Sequence, residues 1–185
     1  MSSKVLDLTR SVLLVIDVQG KLASMMHDFQ YLRHVKGLIK AAQILGLPII
    51  ATEQVPEKIG GTVQEIKEMF SDFVPIVKQT FSCCGEPRFM DELKRLARSQ
   101  VIVCGIESHV CVYQTVRDLC KLGYDVHLAA DSVSARSKQN SEIGIRRSEH
   151  EGAVVTSLEM FINELIRSTA HPKFREIMAL LKNNG

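Results

Sequence analysis

Aromatic residues make up only 5% of this 185-residue chain, and the formal net charge is only +2. Proteins that grip single-stranded nucleic acid combine a basic groove with aromatic stacking platforms. Neither a basic stripe nor such interleaving stands in the sequence, so nucleic acid is not an expected partner. No apolar run approaches the roughly 20 residues that cross a bilayer, and MSSKVLDLTR at the amino end lacks a signal-peptide apolar region. The 5 cysteines are odd in number and without disulfide-framework spacing, which points to a reducing compartment. Gly60 and Gly61 make no phosphate loop, because neither G-x-x-x-x-G-K-[ST] nor G-x-G-x-x-G follows a strand-like run. Repeats, linkers and low-complexity segments are lacking too. The expectation is a cytoplasmic protein with one domain over residues 1–185 and no membrane partner. Its hydrophobic content of 45% and charged content of 24% are those of ordinary globular chains.

What is present alternates between two periods. Ser11 to Asp17 (SVLLVID) is a continuous apolar run ending on a carboxylate, as in a strand buried on both faces. A helix follows from about Tyr31 to Leu45, stopped by Gly46 and Pro48. Pro48 to Ala51 reads as a second strand, VPEKIGG as a loop, and Thr62 as the cap of a helix over VQEIKEMF. Val74 to Val77 is a third strand, placed at an edge by Pro75, which cannot donate to a central ladder. A helix from Arg88 to Arg98 leads to the strand at Val101. Asp125 to Ala130 is a fifth strand, ending at Asp131, and Ala153 to Val155 a sixth. Helices at Ser137 to His150 and from Ser157 to Ile166 separate them, and the tail has an amphipathic face of Phe174, Ile177, Leu180 and Leu181. Such alternation implies a parallel sheet covered by helices on both sides.

In such sheets ligands bind beyond the carboxyl ends of the strands. Asp17, Glu53, Lys78, the Cys111 turn and Asp131 all fall at or just past such an end. In VIVCGIESHVCVY (Val101 to Tyr113) an apolar strand breaks at Gly105 and gives way to helical spacing from Cys111. A thiol in the first turn of a helix is expected to ionise more easily, and the thiolate is the nucleophile. Backbone N–H groups between Glu107 and Cys111 are candidates for an oxyanion hole. His109, two positions before Cys111, is read as a turn histidine, and the adjacent Cys83 and Cys84 suit neither zinc-ligand spacing nor an easy disulfide. The two thiols are expected near the mouth of the site.

LLVIDVQ at Leu13 to Gln19, VKQTFSC at Val77 to Cys83 and CGIESHVCV at Cys104 to Val112 resemble, in that order, the three signatures of the isochorismatase-like cysteine hydrolases. That superfamily includes nicotinamidases and N-carbamoylsarcosine amidohydrolases. DSVSARS at Asp131 to Ser137 is also similar to a family segment, so the likeness covers almost the whole chain. TEQVPEKIGGTV and HPKFREIMALL most resemble the isochorismatase-domain-containing hydrolases of undefined substrate.

The resemblance implies a three-layer α/β/α fold with a six-stranded parallel sheet in the order 3-2-1-4-5-6. It implies a triad of Cys111 as nucleophile, Asp17 as the base that takes the thiol proton and Lys78 as the cation that offsets the crowded negative charge. It also implies an oxyanion hole from the backbones of Glu107 and Cys111, and a non-proline cis peptide between Ile106 and Glu107. Gln19, Glu53, Gln54, Phe81, Ile106 and Ser108 stand where a pocket would form. Nicotinamidases hold a metal through histidines after the second strand, but ATEQVPEKIGGT contains no histidine. True isochorismatases lack the cysteine. The expected function is therefore a hydrolase of a small amide, needing no metal and no cofactor, in a homo-oligomer. The alternatives are a ribonuclease-like role, described for some relatives, and a non-catalytic module whose Phe174 to Leu181 face meets another copy.

Overall fold

The computed structural model describes residues 5–182. Six parallel strands form one sheet: β1 (Ser11–Ile16), β2 (Ile49–Gln54), β3 (Ile76–Lys78), β4 (Gln100–Ile106), β5 (Asp125–Ser134) and β6 (Val154–Thr156). Their order is β3-β2-β1-β4-β5-β6, as expected, with β3 at the edge. Between them run α1 (Gly20–Ala23), α2 (Gln30–Leu45), α3 (Pro56–Ile59), α4 (Gln64–Lys67), α5 (Pro87–Leu96), α6 (Tyr113–Lys121), α7 (Lys138–His150), α8 (Leu158–Ile166) and α9 (Phe174–Lys182). Among the described residues no helix is long and apolar enough to cross a membrane.

The continuous apolar strands make sense once both faces are covered. Successive side chains of a strand point to opposite faces. In β1, Leu13 and Val15 enter a core with α2, α8 and α9, while Val12, Leu14 and Ile16 enter a second core with α5 and α6. β4 divides likewise, with Ile102 and Ile106 on the first side and Val101 and Val103 on the second. Each such side chain contributes about 1.5–3 kcal/mol on burial. That packing fixes β1 and β4, which lie side by side at the centre of the sheet, where the strand order reverses.

Several boundaries differ from the sequence reading. β2 runs on through Glu53 and Gln54 because β3 pairs with Thr52 to Gln54, a tertiary contact that local pattern does not reveal. Lys78 consequently lies within β3, and Pro75 precedes it. VPEKIGG is not all loop: Pro56 opens α3 from a position that needs no N–H donor. Thr62 caps nothing; its N–H and hydroxyl both donate to Glu53, at 2.6 and 2.8 Å. β5 continues past Asp131 to Ser134, and the Asp131 carboxylate accepts the Leu158 N–H at the start of α8. Asp131 thus braces a helix start. Ile177 is buried in the α2 side core and Phe174, Leu180 and Leu181 are half-buried against it, so that face packs on the fold. The last three residues of the tail lie outside the described residues.

One glycine sets the centre of the sheet. Gly105 has φ +113, and a Cβ there would stand 2.1 Å from the Ile16 carbonyl oxygen. Only a residue without a side chain lets β4 close on the end of β1 in this way. The Ile106–Glu107 peptide that follows is cis, as the resemblance implied.

Candidate active site

Asp17 stands directly after β1, in the left-handed region at φ 50, which aspartate tolerates better than most residues. Lys78 closes β3. Cys111 lies not in a first α-helical turn but in a single π-helical turn, Ser108–Val112, ahead of α6. α7 holds that turn closely, since a Cβ on Gly144 would sit 2.6 Å from the Ser108 carbonyl. The three side chains meet at the carboxyl edge of the sheet. Lys78 Nζ donates to Asp17 Oδ2 at 2.6 Å, with both side chains 0% exposed. Thr52 Oγ1 donates to Asp17 Oδ1 at 2.7 Å, so both carboxylate oxygens are held. Lys78 also reaches Gln54 Oε1 at 2.7 Å and the carbonyls of Thr80 and Phe81, each at 3.2 Å. Cys111 Sγ lies 4.0 Å from the same Gln54 oxygen, the outer reach of a thiol hydrogen bond.

The electrostatics reverse one expectation. Burial, then the Asp17 charge, push the Cys111 thiol well above its ordinary range; Lys78 pulls the other way without prevailing. A helix-end argument sees only the local dipole, whereas the dominant effects come from desolvation and a carboxylate brought by another strand. Burial and the Asp17 charge thus both favour the protonated thiol over the thiolate. Burial pulls the Lys78 pKa down, but the Asp17 charge, joined by Cys83 and Cys111 once they ionise, raises it overall. Cys83 is not at the mouth of the site. It is fully buried, with its sulfur 3.9 Å from Thr52 Oγ1, and burial pushes it up to about 12.

The other expected residues divide in two. Gln54 faces the cluster, and the Phe81 backbone does, while the Phe81 ring is exposed. Glu107 is buried and accepts the backbone N–H and Nε of Arg136, at 3.0 and 3.1 Å. Ser108 is buried, and its hydroxyl has no partner among the described residues. The Ile106 side chain belongs to the core. Gln19 and Glu53 are occupied elsewhere. Gln19 takes the Gln54 N–H at 2.7 Å and returns its amide to the Gln54 and Gly60 carbonyls, and Glu53 is spent on Thr62. Both brace the segment from β2 to Thr62, and neither lines the cluster. Thr52 and Arg136 are the functional-site neighbours that sequence reasoning missed. Arg136 lies inside the noted DSVSARS segment, while a threonine near a strand end carries no signal of its own. Among the described residues no three His, Cys, Asp or Glu side chains gather as a metal-holding group.

Residues 11–160 match the Isochorismatase domain. A secreted isochorismatase effector, Isc1, from Phytophthora sojae is 34% identical over 181 residues, covering 94% of this chain and 85% of that protein. A solved structure described as the MAR1 ribonuclease of Caenorhabditis elegans is 40% identical, with a TM-score of 0.89 over 96% of this chain and 92% of that one. The ycaC product of Escherichia coli, described as an octameric hydrolase of unknown specificity, shares the fold at 22% identity, with a TM-score of 0.85 over 97% of each chain. With the matched domain spanning most of the sequence, and the sheet order shared with solved structures of that fold, the chain belongs to the isochorismatase family of hydrolases.

Proposed function

We propose that this chain is a cysteine amidohydrolase that cleaves a small amide through a thioester on Cys111. The observation that carries the reading is the fully buried Asp17–Lys78 pair, 2.6 Å apart, with the Cys111 thiol beside it. A neutral thiol needs a base at the moment of attack. Asp17 takes the thiol hydrogen as sulfur adds to the acyl carbon, and backbone N–H groups of Glu107 and Cys111 receive the developing oxyanion. Asp17 then gives the proton to the departing amine. Water adds to the thioester with Asp17 again as base, releasing the acid and the thiol. Lys78 keeps Asp17 charged and oriented throughout. Glu107, tied to Arg136, and Gln54 bound the space in which the acyl group would sit.

A panel of small amides tests this by ammonia release, with Cys111→Ala as the blank. The expected result is at least one amide turned over by the parent and not by the variant, with an acyl adduct on Cys111 by mass spectrometry. Turnover that survives in Cys111→Ala would overturn it. The same preparation, purified without chelator, should contain no stoichiometric transition metal, since the segment after β2 offers carboxylates and amides but no imidazole. One metal per chain, lost together with activity, would overturn that part of the reading.

The 40%-identical ribonuclease of Caenorhabditis elegans favours a second reading, RNA cleavage by the same site. Against it stand the small net charge and the scarcity of aromatics. Labelled RNA incubated beside the amide panel separates the two. The reading also includes a single domain, a homo-oligomer, supported by the octameric relative, and a cytoplasmic setting, supported by five free thiols. The secreted Phytophthora sojae relative argues for another compartment, so fractionation of the native source is the direct check.

A further inference from the structure

Gln54 occupies the space between the ammonium and the sulfur. Its side chain has one orientation that satisfies its neighbours. Nε2 donates to the Gln79 carbonyl at 2.7 Å, a group that can only accept, which turns Oε1 toward Lys78 Nζ and Cys111 Sγ. The backbone is fixed as well, because Gln19 takes the Gln54 N–H and donates to the Gln54 carbonyl. An ammonium has three hydrogens, and Lys78 already has four acceptors: Asp17, Gln54 and the carbonyls of Thr80 and Phe81. No Lys78 hydrogen is left for the sulfur. The charged and titratable groups facing Cys111 are Asp17 after β1, Lys78 in β3 and Cys83 in the turn after it.

We propose that Gln54 is a positioning residue of the cluster, whose carboxamide oxygen binds Lys78 and stands against the Cys111 sulfur, and so shields the sulfur from the ammonium and disfavours its ionisation while the thiol hydrogen remains within reach of Asp17. The negative end of the carboxamide dipole disfavours a nearby thiolate, and the shielding keeps the ammonium from favouring one. Both effects act in the same direction. The nucleophile then ionises only when an acyl group enters and Asp17 receives the hydrogen. This deepens the proposed hydrolase reading and rests on it for its purpose. The measurement concerns thiol ionisation alone, so it needs no substrate and can fail separately.

The test is an ultraviolet thiolate titration of Cys111, taken as the difference between each protein and the same protein carrying Cys111→Ala. Reading the thiolate itself avoids the effect of altered access that an alkylation rate would include. Gln54→Met removes the oxygen while keeping the length of the side chain, and should lower the Cys111 midpoint by about one pH unit, or about tenfold in thiolate at fixed pH. Gln54→Glu, nearly isosteric and negative, should raise it. A Gln54→Met midpoint at or above that of the parent overturns the proposal, as does a Gln54→Glu midpoint at or below it. Should the methionine variant not fold, Gln54→Leu takes its place with the same expected direction. A residue that merely fills space would leave the midpoint where it is.

Discussion

Cys111→Ala and Asp17→Asn are each expected to lower turnover of the amide found by screening by about 10⁴-fold or more, and the double variant should be scarcely worse than either. The reason is that the two residues perform one step: without sulfur there is nothing to deprotonate, and without the carboxylate the neutral thiol has nowhere to send its hydrogen. A second outcome separates this mechanism from a preformed thiolate. The Asp17 charge is the largest cause, after burial, of the raised Cys111 pKa, while Lys78 lowers it. Asp17→Asn removes the first and keeps the second, so the thiol should ionise more readily. Iodoacetamide should therefore label Cys111 faster in Asp17→Asn than in the parent at neutral pH, even as hydrolysis disappears. Slower labelling in the variant, or near-additive losses in the double variant, would show that Asp17 and Cys111 do not act as proposed.

Much of this arrangement was legible in the sequence because each element of the triad ends or follows an apolar run. SVLLVID and VIVCGI announce buried strands, and their polar ends announce the edge where ligands bind. What stayed hidden depends on contacts between strands. The length of β2 is decided by β3, whose three residues pair with Thr52 to Gln54. Glu53 looked like a pocket carboxylate because nothing in TEQ tells that Thr62 will return to cover it. Cys83 looked peripheral beside Cys84, although the turn buries it completely against Thr52. The surroundings of the Cys111 thiol depend on such contacts as well. The local helix start was visible, but the Asp17 carboxylate arrives through the β1–β4 pairing that Gly105 permits.

Lys78→Ala should destabilise the fold by about 3–5 kcal/mol, the usual result of leaving one partner of a buried ion pair uncompensated. Both partners are 0% exposed, so the lone carboxylate would be left in a desolvated site. Asp17 would keep the Thr52 hydroxyl and the Cys111 thiol, both neutral, in place of a cation. For a chain of this length such a loss lowers the melting temperature by about 10 °C or more. Asp17→Asn should cost clearly less. Lys78 would keep Gln54 Oε1 and the carbonyls of Thr80 and Phe81 to hold its hydrogens. The sign of the pH dependence follows from the raised Lys78 pKa. Its contribution to stability is fully present below the ordinary lysine value of 10.5 and is lost only as pH rises through the higher folded value. Thermal melts at neutral pH should thus rank parent, Asp17→Asn and Lys78→Ala in falling order, and the gap between parent and Lys78→Ala should narrow only in strong alkali. A lower melting temperature for Asp17→Asn than for Lys78→Ala would mean that the ammonium, not the carboxylate, is the group the fold fails to solvate, and equal values would overturn the ranking. Loss of turnover in Lys78→Ala is accordingly interpretable only beside its melt, because a site whose carboxylate has lost its cation fails in structure before it fails in chemistry.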